Sequence, residues 1–111
     1  MARNDALETG ELTDTTFYIL LSLLEARHGY LIMKNIEEVS DQSFKVGPAS
    51  LYTSIKKLLH AELIAPVGDA TGKKKTYIAT KKGVELLQED IKRREKMIRH
   101  AKSALNEGVA P

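Results

Sequence analysis

Beyond a polar, aperiodic first dozen residues, apolar side chains recur along this chain at the three- and four-residue spacing of helices, interrupted once by a short alternating stretch. Phe17, Leu20, Leu21 and Leu24 predict a helix that starts from a cap at Thr13 or Asp14 and runs to about Arg27, with Gly29 as its stop. Tyr18, Ile19 and Leu23 occupy its other side, so this helix is apolar nearly all round and must be covered twice. One cover is the domain's own core; a second subunit is the simplest candidate for the other. Tyr30 to Val39 predicts a shorter second helix, with Leu31, Ile32, Asn35, Ile36 and Val39 in register and the polar turn Ser40 to Ser43 after it. A third helix begins at Gly47-Pro48, proline suiting a first helical position whose N–H has no partner. Its core stripe is Leu51, Ile55, Leu58 and Leu59.

The period changes after Leu63. Ile64 to Val67 and Thr76 to Ala79 are β-prone runs around a polar turn that carries Lys73, Lys74 and Lys75, which predicts a hairpin with a basic tip. Thr80 then caps a long last helix reaching about Leu105. Along it Val84, Leu87, Ile91, Arg94, Ile98, Ala101 and Leu105 alternate spacings of three and four, the seam of a coiled coil with one arginine in it. So small a domain cannot cover that stripe, which predicts a dimer, with Tyr18 of the first helix contributing to the interface.

Charge sharpens the picture. The 111 residues carry a net charge of only +2. Residues 1–40, however, hold three basic residues against seven acids, and residues 41–111 hold 14 against eight, so a net −4 segment precedes a net +6 one. An asymmetry of this kind suggests contact with nucleic acid. Three helices followed by a basic hairpin is the order of a winged helix-turn-helix, whose third helix enters the major groove while the wing lies beside the backbone. At 100° per residue Ala49, Ser50, Thr53, Lys56 and Lys57 fall opposite the core stripe, with Tyr52 at the boundary. Hydroxyls, a small methyl and two cations suit base edges and phosphates. Lys45, Tyr30 and Lys34 join the candidate DNA-binding set with the three wing lysines.

Ser50-Leu51-Tyr52, Ile55-Lys56-Lys57-Leu58 and Leu63-Ile64 resemble the recognition-helix signature of the PadR family of bacterial transcriptional regulators. His28-Gly29-Tyr30 is similar to that family's second-helix start, and Tyr77, Thr80 and Gly83 to its strand-to-helix pattern; the resemblance spans about Leu12 to Leu105. It implies a homodimeric repressor, often of stress, phenolic-acid or multidrug-efflux genes, and the chain's length resembles the subgroup with one long C-terminal dimerisation helix. Thr53 stands where the family commonly has proline, Glu62 where glycine closes the recognition helix, and Ala79 where leucine is usual. Some members are described as holding flat aromatic compounds between the dimer helices with a tryptophan, which this sequence lacks. Arg94 matches that seam position. It can stack on an aromatic ligand, pair with an anionic one, or pair with a glutamate of the second subunit. The candidate effector site is Tyr18, Leu21, Ile91, Arg94 and Ile98.

The expected architecture is mainly α with a small β-hairpin: an N-terminal arm over 1–11, a winged helix-turn-helix over 12–80, a dimerisation helix over 81–106 and a tail over 107–111. With no cysteine there is no thiolate nucleophile, disulfide or thiolate metal site. The longest apolar run, Phe17 to Leu24, is too short to span a bilayer and lacks the basic flank of a signal peptide, which predicts a cytoplasmic protein. His28, His60 and His100 are too dispersed for a metal, and Glu37-Glu38 and Glu89-Asp90 are adjacent pairs that point to different helix faces. No catalytic residue, cofactor or metal is expected. The expected partners are double-stranded DNA, a second copy of the chain and a candidate small aromatic effector. A winged helix that assembles protein complexes, and a nucleoid-type binder without sequence preference, are the alternatives.

Overall fold

The computed structural model describes residues 11–68 and 75–107. Helix α1 (Asp14–Ser22) is capped by Thr13, whose hydroxyl accepts the Thr16 N–H at 3.1 Å. It ends five residues earlier than its apolar spacing predicts. The reason is a short strand, β1 (Arg27–His28), which the sequence pattern does not reveal and which needs extended backbone at Arg27. Leu23 closes the helix, and Arg27 donates from Nε to the Ser22 carbonyl at 2.8 Å, satisfying one of the exposed acceptors of the last turn. Helix α2 (Gly29–Val39) follows at once, so Gly29 opens the second helix instead of stopping the first. The Ser22 hydroxyl donates to Asn35 Oδ1 at 2.8 Å and ties α1 to α2.

Helix α3 (Pro48–His60) and strands β2 (Ile64–Val67) and β3 (Thr76–Ala79) match the predicted bounds. The sheet has three antiparallel strands in the order β1-β3-β2: Arg27 faces Tyr77, and Ile64 faces Ala79. Ile19, Leu20, Leu23, Ile32, Ile36, Leu51 and Leu58, all without exposed surface, fill the space between α1, α2 and α3. Each fully buried side chain of this kind contributes roughly 1.5–3 kcal/mol.

Between α3 and β2 the chain turns on Glu62, which has φ of +63°. A side chain in the left-handed region is strained, and the Glu62 carbonyl is committed there to the Thr80 hydroxyl at 2.7 Å. Glu62→Gly should therefore raise the free energy of urea unfolding by about 0.5–1 kcal/mol; an unchanged midpoint would show that the turn carries no strain.

Helix α4 (Lys81–Glu107) starts as predicted, with Thr80 accepting the Gly83 N–H at 3.1 Å. At Gly83 the helix lies directly on the corner between α3 and β2, where a Cβ would fall on the Leu63 carbonyl oxygen. Its 27 residues extend about 40 Å. The described molecule is accordingly long, 61 × 32 × 24 Å. Among the described residues no helix is long and apolar enough to cross a membrane.

Candidate nucleic-acid interface

The outer face of α3 is open. Ala49, Ser50, Thr53, Lys56 and Lys57 are all exposed, while Leu51, Ile55 and Leu58 are buried, so the helix divides along the line its periodicity predicts. No acidic residue occurs from Gln42 to Ala61. The surface that carries three of the cations, Lys45, Lys56 and Lys57, therefore has no carboxylate of its own segment to neutralise it.

Tyr52 connects this face to α2. It is half exposed, and its phenol lies over the first residue of that helix: a Cβ at Gly29 would collide with the hydroxyl and sit 3.0 Å from Cζ. A side chain at residue 29 would thus have to displace the Tyr52 phenol, a close approach that its place in the sequence did not disclose. His28, the residue before α2, gives that helix no side-chain cap. Burial raises the pKa of Tyr77 above its ordinary value, and the neighbouring Tyr52 adds to the effect, so the Tyr77 phenol stays protonated at neutral pH. Tyr30, 60% exposed, and Lys34 flank the same edge, with the Lys34 ammonium 6.0 Å from the Tyr30 ring centre. Lys75 is exposed at the approach to β3; Lys73 and Lys74 lie outside the described residues.

The predicted seam divides into two parts. Leu87 is 3% exposed and belongs to the core of its own subunit, and Val84 is half-buried beside it, because the first turns of α4 pack on α1 and the sheet. Leu87 is therefore withdrawn from the set that can meet a partner. Ile91, Ile98, Ala101 and Leu105 are exposed, Ile98 to 53% and Leu105 to 72%. Met97 adds to them. Leu21 on α1 is half-buried, and Leu24 in the turn after it is exposed. Tyr18, half-buried, stacks on Phe44 with ring centres 4.7 Å apart, and Phe17 is the α1 aromatic that lies against Arg94 of α4.

Arg94 is occupied within its own chain. Its Nε donates to Asp90 Oδ2 at 2.6 Å, one terminal nitrogen to Asp14 Oδ1 at 3.0 Å and the other to the Leu12 carbonyl at 2.9 Å. The guanidinium also lies over the Phe17 ring at 4.5 Å. An aromatic face and acidic partners, the roles the sequence offers it, are both met within this chain by Phe17, Asp14 and Asp90. Asp90, without exposed surface, completes the arrangement by accepting from the Leu12 N–H at 3.3 Å and from Arg93 at 2.9 and 2.8 Å. Burial alone would raise its pKa, but hydrogen bonds from Arg94, Arg93 and the Leu12 N–H outweigh that and hold the carboxyl below its ordinary value. Arg94 is held above its own by the same contacts, against the opposing effect of burial. The spacing of Asp90, Arg93 and Arg94 at i, i+3 and i+4 was the available signal for this cluster.

Among the described residues no group of three or more potential metal ligands comes together. Residues 18–89 match the model of the transcriptional regulator PadR-like family. The fold is similar to that of a PadR family transcriptional regulator from Eggerthella lenta, with 21% identity, 81% of this chain and 80% of that one covered, and a TM-score of 0.68. It is similar to RosR of H. salinarum, with 21% identity over the whole of both chains and a TM-score of 0.63. Bacillus subtilis PadR, solved in complex with operator DNA, is 25% identical over 68% of this chain and 45% of its own, with a TM-score of 0.60. The comparison with curated proteins gives no match.

Proposed function

The chain belongs to the PadR-like family of transcriptional regulators, and from that premise we propose that it is a repressor that binds a pseudo-palindromic operator as a homodimer. The observation that carries this reading is the acid-free, exposed face of α3. In this reading Ser50, Thr53 and Lys56 meet base edges, Ala49 offers its methyl to thymine, and Lys45, Lys57 and Tyr52 hold phosphates together with Tyr30, Lys34 and the wing lysines Lys73, Lys74 and Lys75. The two α3 helices of a dimer then occupy successive major grooves about 34 Å apart. The uncovered apolar side chains of α4 and of the outer face of α1 supply the dimer contact. A small aromatic effector would act between the subunits, at Leu21, Ile91 and Ile98, by favouring one groove spacing over another, since only differential affinity for two arrangements switches binding. Arg94 joins such a site only by giving up Asp14.

Gel-shift titration with DNA from the chain's own upstream region tests the proposal. Specific binding should survive competition by random DNA and weaken steeply as salt rises. Lys57→Ala should weaken binding to specific and random sequences alike and lower the slope of log affinity against log salt by about one. Equal affinity for random DNA would identify a nucleoid-type binder. No shift at low salt would leave a protein-assembly module as the reading.

A further inference from the structure

We infer that Arg94, Asp90 and Asp14 form a positioning clasp that fixes the direction in which α4 leaves the domain, and through it the separation of the two α3 helices in the dimer. The inference rests on the dimeric reading above. Both sides of Leu12 are held by α4: its N–H by Asp90 at 3.3 Å and its carbonyl by Arg94 at 2.9 Å. Asp14, in the first turn of α1, binds the remaining arm of the same guanidinium at 3.0 Å, and Phe17 one turn later lies beneath it at 4.5 Å. The strap that enters α1 is therefore fastened at four points to two residues of α4 that are one turn apart. The buried side chain of Leu12 secures it from below.

The position of this clasp along α4 gives it its effect. Gly83 and Leu87 fix the start of the helix against Leu63 and the core. From Glu95 to Asn106 every side chain is exposed, so among the described residues the clasp is the last place where a buried side chain of the helix meets the domain. The thirteen residues beyond Arg94, 95 to 107, form a lever of about 20 Å. A pivot of only ~10° at Arg94 displaces its end by roughly 3.5 Å, about the rise of one base pair. Removing the clasp leaves the start of α4 in place and lets the lever swing, which changes groove spacing without touching any residue that faces DNA.

The chain contains no cysteine, so His60→Cys at the exposed end of α3 takes a single spin label in each subunit. The label-to-label distance should be narrowly distributed in the otherwise wild-type dimer. Arg94→Met, which keeps an apolar stem over Phe17, should broaden or shift that distribution, and should abolish the preference for the native spacer among operators lengthened or shortened by one base pair. A folded Arg94→Met dimer with the wild-type distance and spacer preference overturns the clasp. If Arg94→Met does not fold, Asp14→Ala decides in the same way: Asp14 is largely exposed and Thr13 still caps the helix. A wild-type protein with no dipolar signal is a monomer and overturns the dimer and the clasp together. A wild-type dimer that binds no DNA overturns the operator reading alone, while the distance measurement still decides the clasp.

Discussion

Ile98→Asp should give a folded monomer whose affinity for operator DNA falls by about 10²–10⁴-fold, the loss expected when two linked binding modules are separated. Ile98 is 53% exposed in the single chain, and every described side chain from Glu95 to Asn106 is exposed with it. The change therefore removes no packing within the subunit, and circular dichroism and thermal unfolding at low protein concentration should match the wild type. In the proposed dimer the same residue would sit on the seam with Ile91, Ala101 and Leu105, where an unpaired carboxylate cannot be hydrated and costs several kcal/mol. Sedimentation shows the change in mass, and a gel shift the change in affinity. An Ile98→Asp protein that remains dimeric would place the interface elsewhere, on the α1 face around Leu21 and Leu24.

Most of this architecture is legible in the sequence because most of it is local. The bounds of α3, the start of α4 and the two long strands follow from apolar period, Pro48 and the Thr80 cap, all of which act within a few residues. What escapes is what only tertiary contact decides. Arg27 and His28 are a strand solely because Tyr77 and Thr76 lie opposite them, and this pairing, set some fifty residues away, cuts α1 short. Gly29 resembles a helix stop until Tyr52 is placed over it. Tyr18 and Phe17 are adjacent aromatics, and only the folded chain shows that Tyr18 stacks on Phe44 while Phe17 lies against Arg94.

The candidate site divides in the same way. The reading face of α3 is legible because exposure there is set by the helix's own periodicity. Leu87 and Leu105 lie on the same seam of alternating three- and four-residue spacings, which serves first the core and then the open surface. Nothing in the pattern marks the point where the domain ends and the lever begins. That point is Arg94, and the sequence presents it only as the one charged member of an apolar stripe.

Asp90→Ala should lower the stability of the domain by about 2–3 kcal/mol, the lower part of the range for breaking a buried ion pair, because the two arginines left behind still reach water. Asp90 has no exposed surface, whereas the side chains of Arg93 and Arg94 are 34% and 28% exposed. The loss should concentrate at the strap: the Leu12 N–H loses its acceptor, and Arg94 keeps Asp14 and the Leu12 carbonyl but no longer anchors them to a fixed point on α4. Hydrogen exchange should accordingly rise first at residues 12–16. The effect has a definite pH dependence. The folded pKa of Asp90 lies below its ordinary value of 3.8, so its contribution is fully present above that value and disappears as pH falls through the depressed folded one. Urea unfolding of wild type and Asp90→Ala should therefore differ by a constant amount from pH 5 to 8 and converge below about pH 4. A difference that persists undiminished in strong acid would mean that Asp90 acts by filling space and not by its charge.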